Sequence, residues 1–354
     1  MKKILILLVS VALLASCGNN KTKDGSSNSK KVTLTAAGAT FPMPFYNLAF
    51  KKYTKETGTL LTYGGIGSGG GIRSLKDQVV DFGATDAFLS DKDLKDMTFK
   101  VVHIPTCIGA VVIAYNLPGI EEIKLSDKLL QDIFMGKITN WNDKKIKKAN
   151  PDVKLPDMKI TVVHRSDGSG TTFIFSDYMS KISAEWDEQV GRGKSLLWPT
   201  GIGAKGNPGV AGTISQTEGS VGYIGSEYAF AQKISFALVQ NQAGNYIKPT
   251  IESISASAQG KIPADTRVML TNSSDPNAYP ISGFTWIILY GEQAYNGRTK
   301  AQAEETAKFL QWLISPEAQA VAQSVNYAPL PEKAIELSKD ILNSITYEGQ
   351  PVLK

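Results

Sequence analysis

Two patterns of apolar and polar positions take turns along this chain. Val32 to Ala36 alternates at period two and predicts a strand. Pro42 to Thr57 then places Phe45, Leu48, Ala49 and Tyr53 on roughly one face of a helix. Leu60 to Tyr63 predicts a second strand, followed by a glycine-rich turn. Asp81-Phe82-Gly83-Ala84 is strand-like, and Val101 to Tyr115 is a long β-rich run. Ile160 to Val163 is apolar and β-branched, which suits a buried strand, and a helix-like pattern runs from Phe173 through Met179. Thr285 to Tyr290 is another apolar strand, and a helix follows from about Lys300 to Ile314. Alternation of this kind predicts an α/β fold whose sheets are covered by helices. No internal repeat of fixed period interrupts it.

The start of the chain follows a different logic. Met1-Lys2-Lys3 is basic, and Ile4 to Leu14 is an apolar run too short to span a bilayer. Small residues, Ala15 and Ser16, lead directly to Cys17. Charge, apolar length and lipobox together mark a bacterial lipoprotein signal peptide, residues 1–16, with Cys17 as the lipid-bearing first residue. Residues 17–31 are rich in Ser, Asn, Gly and Lys and cannot bury enough surface to fold, so a flexible tether is expected. Cleavage removes Lys2 and Lys3, which lowers the formal charge of the 354-residue chain from +5 to +3. A mild excess of that size, with no basic run interleaved with aromatics, argues against nucleic acid as a partner. The chain has 2 cysteines. With Cys17 acylated, Cys107 has no partner for a disulfide, and its apolar neighbours fit a buried, inert thiol. No second apolar run long enough to span a membrane follows, so the body is expected to be held by lipid alone.

Four segments carry candidate chemistry. Gly38-Ala39-Thr40-Phe41-Pro42 precedes a helix, with Thr40 placed as an N-cap and Pro42 in the first turn. Gly65-Ile66-Gly67-Ser68-Gly69-Gly70 follows a strand. Phe82-Gly83-Ala84-Thr85-Asp86-Ala87 is the third, and Asp86 there also suits a helix N-cap. The fourth, Arg165-Ser166-Asp167-Gly168-Ser169-Gly170-Thr171, reads as strand, turn and helix N-terminus. It gathers a fixed positive charge, hydroxyls and free backbone N–H groups, and the helix dipole adds to them. Each turn alone is an ordinary capped helix start. Several together, one with a fixed arginine, point to a shared oxyanion site.

Other classes fit less well. Gly65-x-Gly67-x-x-Gly70 with Asp86 about 20 residues on matches a dinucleotide fingerprint. Only about eight residues separate Gly70 from the next strand, too few for a full crossover helix, and export removes the chain from soluble nicotinamide pools. No Lys-Ser/Thr follows the glycines, so a P-loop fails. The sequence offers no Gly-x-Ser-x-Gly elbow and no His or Cys spacing that suggests a metal. His103 and His164 are the 2 histidines, and His164 is expected as a solvated neighbour of Arg165 rather than a general base. An enzyme would need an activator for its hydroxyls, and none is evident.

The four segments, in this order, together with Lys137-Ile138-Thr139-Asn140-Trp141, Trp198-Pro199 and Val221-Gly222-Tyr223, resemble the bacterial periplasmic phosphate-binding proteins. These are the extracellular receptors of the high-affinity phosphate ABC importer. The likeness runs from about Thr33 to the C-terminus. It implies a two-domain periplasmic-binding-protein fold, two α/β domains joined by a hinge with the ligand cleft between them. The chain would cross between domains near Tyr115 and near Gly283, giving residues 32–115 with 284–354 as one domain and 116–283 as the other. The ligand residues it implies are Thr40, Phe41 through its backbone N–H, Ser68, Asp86, Arg165, Ser169, Gly170 and Thr171, with Asp167 pairing the arginine. Thr85 and Gly69 stand where some members carry Ser.

The chemistry of those residues agrees with the implied ligand. Arg165 offers a planar fork that matches two phosphate oxygens. Asp86 beside an anion makes sense as the acceptor of the proton that phosphate retains at neutral pH, a proton sulfate lacks. The expected protein is therefore a monomeric, lipid-anchored receptor, periplasmic or at the cell surface. It captures inorganic phosphate and hands it to the permease subunits of an ABC importer, with no cofactor, no metal and no covalent chemistry. A receptor for another tetrahedral oxyanion or an organic phosphate is the alternative, with a storage or sensing role or a secreted phosphate-processing enzyme behind it.

Overall fold

The computed structural model describes residues 32–353. The signal peptide, Cys17 and the tether lie outside the described residues. Eight strands build one sheet: β1 (Thr33–Gly38), β2 (Leu60–Gly65), β3 (Phe82–Thr85), β4 (Val101–Tyr115), β5 (Thr161–Arg165), β6 (Ile202–Ala204), β7 (Ser220–Gly225) and β8 (Ser282–Tyr290). Their order across the sheet is β2-β1-β3-β8-β4-β7-β5-β6. Within β2-β1-β3 and within β7-β5-β6 all pairs are parallel. Between these triplets, β8 and β4 run antiparallel to each other and to their outer neighbours β3 and β7. Among the described residues no helix is long and apolar enough to cross a membrane.

β4 explains how one sheet holds two halves. All 15 of its residues are buried, as the unbroken apolar run Val101 to Tyr115 requires of a central strand. Val101 to Ala110 pair with β8, and Val111 to Tyr115 pair with β7. The change of partner falls inside the strand. Pro105 lies in the β8-facing part, where its missing N–H cannot serve a regular ladder. The register shifts there, between Thr285 and Trp286 of β8, as a bulge. That irregularity falls at Thr285, a residue that reaches the site.

The helices that matter for the site are α1 (Met43–Thr57), α2 (Ser68–Lys76), α3 (Gly170–Ile182), α4 (Gly206–Gln216) and α5 (Ser226–Gln232). A sixth, α6 (Lys300–Leu313), covers the first half of the sheet and packs Phe309 on Phe50 and Phe82. α1 buries Phe45, Tyr46, Ala49, Phe50 and Tyr53, a stripe at helical spacing. Leu48, expected on the inward face, is 43 % exposed, because the stripe is centred on Phe45–Ala49 and Tyr46–Phe50 rather than on Leu48. α1 ends at Gly58, whose φ of 80° gives the left-handed cap that glycine adopts without steric cost.

Parallel strands in each triplet send their carboxyl ends the same way. Thr40 follows β1, Ser68 follows β2 and Asp86 follows β3. Arg165 ends β5, Asn207 follows β6 and Glu227 follows β7. Open α/β sheets place ligands at such carboxyl ends, and six of them serve one place here.

Candidate functional site

Arg165 is the centre of the site and is 4 % exposed. Its backbone N–H donates to the Tyr223 hydroxyl at 3.1 Å, and that hydroxyl is shared with Thr172 Oγ1 at 2.7 Å. Tyr223 is itself fixed by Phe175, stacked on it at 4.5 Å between centroids. The guanidinium donates from Nε to Asp167 Oδ1 at 2.7 Å, from Nη2 to Asp167 Oδ2 at 2.6 Å and from Nη1 to Thr171 Oγ1 at 3.3 Å. Arginine has five N–H groups. Three are thus engaged, which leaves one on Nη1 and one on Nη2 for a ligand. Burial works against the Asp167 charge, but the hydrogen bonds and charge of Arg165 outweigh it and hold the carboxyl below its usual range.

The turn after β5 completes this half of the site. Ser169 is the N-cap of α3, and its Oγ accepts from the Thr172 N–H at 3.0 Å. Gly170 and Thr171 are the first two residues of that 13-residue helix, so their N–H groups have no intrahelical acceptor.

The opposite half brings Asp86 and Ser68 together. Ser68 Oγ accepts from the Asp86 N–H at 3.1 Å and lies 3.4 Å from Asp86 Oδ2. Thr285, opposite the bulge in β4, donates to Asp86 Oδ1 at 2.7 Å. Asp86 is fully buried, and burial pushes its carboxyl up to about 7 against the Thr285 hydrogen bond, the Arg165 charge and the Ser68 hydroxyl. No ion pair joins Asp86 to Arg165 among the described residues; the partner of Arg165 is Asp167. Asp86 was a candidate helix N-cap as well, but it caps nothing here. The next helix starts at Asp91 and is capped by Ser90.

The two halves meet directly. The Gly69 N–H donates to Gly168 O at 2.8 Å. At Gly170 a side-chain Cβ would lie 2.4 Å from Ser68 Oγ and 2.5 Å from Asp86 Oδ2. Gly67 has φ +83°, and a Cβ there would lie 2.3 Å from Asp167 Oδ2. Glycine at both places lets the backbones approach around the anion-type site. Of the glycines in the dinucleotide-like stretch, Gly67 and Gly69 make contact across the site, while Gly69 and Gly70 lie inside α2, a nine-residue helix that fits between β2 and β3 after all.

Thr40 corrects an expectation. Pro42, not Thr40, holds the N-cap position of α1, and no side chain caps that helix. The Thr40 hydroxyl is used across the site instead, where it accepts from Asn207 N at 3.0 Å and from Asn207 Nδ2 at 3.1 Å. The Thr40 carbonyl accepts from the Tyr228 hydroxyl. Phe41 has its ring fully buried and its carbonyl bonded by Tyr327 at 2.5 Å. His164 also departs from expectation. It is half-buried and stacked on Trp198 at 4.7 Å, because the aromatic group around Tyr223 extends to it. His103 accepts from the Leu89 N–H at 3.1 Å, and burial pushes it down to about 3, which keeps it neutral. Cys107 is buried, and burial raises its thiol well above the ordinary value.

Four residues of the site escape sequence reasoning: Asn207, Tyr223, Thr285 and Glu227. Asn207 had a signal of the kind used for the others, since Gly203-Ala204-Lys205-Gly206-Asn207-Pro208 is one more strand, turn and helix start. Glu227 had none. It is 4 % exposed, accepts from the Ser226 hydroxyl at 3.1 Å on Oε1, and has no partner on Oε2. Burial pushes it up to about 8, so at neutral pH it is mostly the uncharged acid and adds little negative charge beside Asp86.

A curled α/β sheet whose strand ends enclose a buried site of one arginine, hydroxyls and helix N–H groups is the architecture of a periplasmic binding protein. A family model described as the PBP superfamily domain matches residues 24–317. The chain is 40 % identical over 324 residues to the phosphate-binding protein PstS of Xylella fastidiosa (strain 9a5c), covering 90 % of this chain and 87 % of that protein. It is 40 % identical over 309 residues to the phosphate-binding protein PstS of Pasteurella multocida (strain Pm70), covering 86 % and 88 %. The crystal structure of a phosphate-binding protein from Stenotrophomonas maltophilia shares the fold, with a TM-score of 0.62 at 17 % identity over 88 % of this chain and 93 % of that one. The chain belongs to the PstS family of phosphate-binding proteins within the PBP superfamily.

Proposed function

We propose that this protein is a substrate-binding receptor that captures inorganic phosphate outside the inner membrane and delivers it to an ABC-type importer. One observation carries the reading. Both halves of the sheet converge on one buried place, where two guanidinium N–H groups, the hydroxyls of Thr40, Ser68, Ser169 and Thr171, and the N-terminus of α3 surround a position flanked by Asp86. The ligand set is Thr40, the Phe41 N–H, Ser68, Asp86, Arg165, Ser169, Gly170 and Thr171. The close backbone approach at Gly69–Gly168 favours a small ion over an organic phosphate. The reading assigns the protein no covalent chemistry.

Residues 32–115 with 284–354, and 116–283, act as two lobes that close on the ligand, with the hinge near Tyr115 at the end of β4 and near Gly283 at the start of β8. Each lobe supplies half of the donors, so phosphate holds the closed state and stabilises it by RT ln(1 + [L]/Kd). At a hundredfold excess over Kd this is about 2.7 kcal/mol. Saturating phosphate is expected to raise the melting temperature and shrink the radius of gyration in small-angle scattering. A melting temperature indifferent to phosphate overturns both the ligand and the closure.

Cys17 carries the lipid that keeps the receptor at the membrane, and the protein works there as a monomer in contact with permease subunits. Each buried CH₂ of an acyl chain contributes about 0.8 kcal/mol to anchoring. Cys17→Ala is expected to move the protein to the soluble fraction, or to leave an unprocessed precursor, with phosphate affinity unchanged. A folded Cys17→Ala protein that fails to bind phosphate contradicts a purely tethering role.

A further inference from the structure

We propose that Asn207 is a positioning residue that sets the polarity of the site, forcing the hydroxyls of Thr40 and Thr171 to act as donors to the ligand. The inference rests on the phosphate reading and adds to it a determinant of which protonation state is accepted.

The argument is a count of lone pairs and protons. A hydroxyl has one proton and two lone pairs. Thr40 Oγ1 accepts from Asn207 N at 3.0 Å and from Asn207 Nδ2 at 3.1 Å, so both lone pairs are filled. Thr171 Oγ1 accepts from Asn207 Nδ2 at 3.0 Å and from Arg165 Nη1 at 3.3 Å, so both of its lone pairs are filled too. One amide nitrogen, with its two hydrogens, serves both threonines. Neither hydroxyl donates to any acceptor among the described residues. Each is left with a proton and nowhere to send it except the ligand.

The orientation of the amide is not free. Asn207 Oδ1 accepts from the Gly225 N–H at 3.0 Å. A flipped amide would set its NH₂ against that N–H and its oxygen against the threonines, where it would draw their protons away from the ligand. Gly225 ends β7, so the sheet itself fixes which way Asn207 points. Asn207 is fully buried. Because Thr40 follows β1 and Asn207 follows β6, the polarity is set across the two halves and is complete only when they are together.

The consequence is selectivity for ligand oxygens that carry no proton at these two positions. Asp86, when ionised, is the acceptor for one ligand proton. A second ligand proton, present on the phosphate monoanion, would meet a donor. Affinity should therefore fall as the dianion gives way to the monoanion. The titratable groups around the two hydroxyls are Arg165 at the end of β5 and Asp167 after it, Asp86 after β3, Tyr223 on β7, and Glu227 and Tyr228 on α5. All are unchanged in an Asn207 variant and cancel in a comparison with the native protein.

The test is isothermal titration with inorganic phosphate at pH 8 and pH 5.5, on the native chain, Asn207→Ala and Asn207→Asp. Asn207→Ala frees the hydroxyls to rotate and accept. It is expected to weaken binding about ten- to hundredfold at pH 8, and by clearly less at pH 5.5. Asn207→Asp keeps the shape and the Gly225 bond, but its carboxylate takes the two hydroxyl protons, so it should bind more weakly than Asn207→Ala at pH 8 and recover most on acidification. Equal losses at both pH values in whichever of the two variants folds, as judged by circular dichroism, would mean that Asn207 merely braces the structure, and they overturn the proposal. A loss under twofold at pH 8 overturns it as well. Native protein that binds no phosphate at either pH defeats the underlying phosphate reading instead, so the two failures are distinguishable.

Discussion

Arg165→Ala is expected to weaken phosphate binding by about a hundred- to a thousandfold, the largest loss of any single substitution in the site. Two contributions add. The ligand loses the two guanidinium N–H groups not engaged by Asp167 and Thr171, and hydrogen bonds to charged groups are each worth about 1.5–3 kcal/mol. Asp167 also loses its partner and becomes an uncompensated, half-buried negative charge facing the anion. Breaking a buried pair from one side typically costs about 3–5 kcal/mol. Asp167 is somewhat exposed, so part of that cost is screened. Arg165→Lys keeps a positive charge for Asp167 but replaces a planar fork by a point charge. It should recover part of the affinity and not all of it. Arg165→Ala combined with Asp167→Ala should bind better than Arg165→Ala alone, because the stranded carboxylate is gone. Calorimetric titration of the three variants checks this. A lysine variant that binds like the native protein removes the fork from the mechanism.

The sequence makes some of this site legible and hides the rest for a physical reason. Strand, glycine turn and helix start is a local pattern, and it picks out the segments that carry Thr40, Ser68, Asp86 and Arg165 to Thr171 without any knowledge of packing, whereas the choice of ligand residues within them is what the family resemblance implies. The roles of those residues depend on what lies opposite. Thr40 satisfies the local rule for an N-cap, yet its hydroxyl accepts from Asn207, 167 positions away in the chain. Thr285 sits in an apolar strand and looks like a core residue. It reaches Asp86 because β3 pairs with β8 at a place where Pro105 breaks the regular register. The run Val101 to Tyr115 is recognisable as buried from composition alone, but its change of partner at Val111 follows from sheet order, which periodicity does not encode. Leu48 shows the same limit at smaller scale. An apolar position three residues from Phe45 can lie at the edge of a helix stripe, and the partner surface decides which edge is covered.

Asp86→Asn is expected to abolish most of the preference for phosphate over sulfate. At pH 8 the native carboxylate is mostly ionised, because its value in the free site is about 7. It can accept the proton of phosphate, whereas sulfate would set acceptor against acceptor. An unpaired buried charged group costs about 1–3 kcal/mol or more, which is roughly one to two orders of magnitude in affinity. The elevated value adds a pH signature. Below about 7 the Asp86 carboxyl carries its own proton and can donate it to a sulfate oxygen, so sulfate should bind native protein better on acidification. Above 7 its apparent dissociation constant should rise about tenfold per pH unit. The amide of Asp86→Asn donates at every pH, so sulfate binding by the variant should be flat. Folding stability moves by the same linkage. A carboxyl whose folded value is raised contributes stability that is complete below its unfolded value near 4 and lost as pH passes 7. Ligand-free Asp86→Asn should therefore gain on the native protein between pH 5 and pH 8, seen as a smaller drop in melting temperature. Titration of sulfate and phosphate against both proteins at pH 6, 7 and 8 tests the whole scheme. Sulfate affinity that is independent of pH in the native protein, or selectivity unchanged by Asp86→Asn, would remove Asp86 as the proton acceptor and leave discrimination to the donors alone.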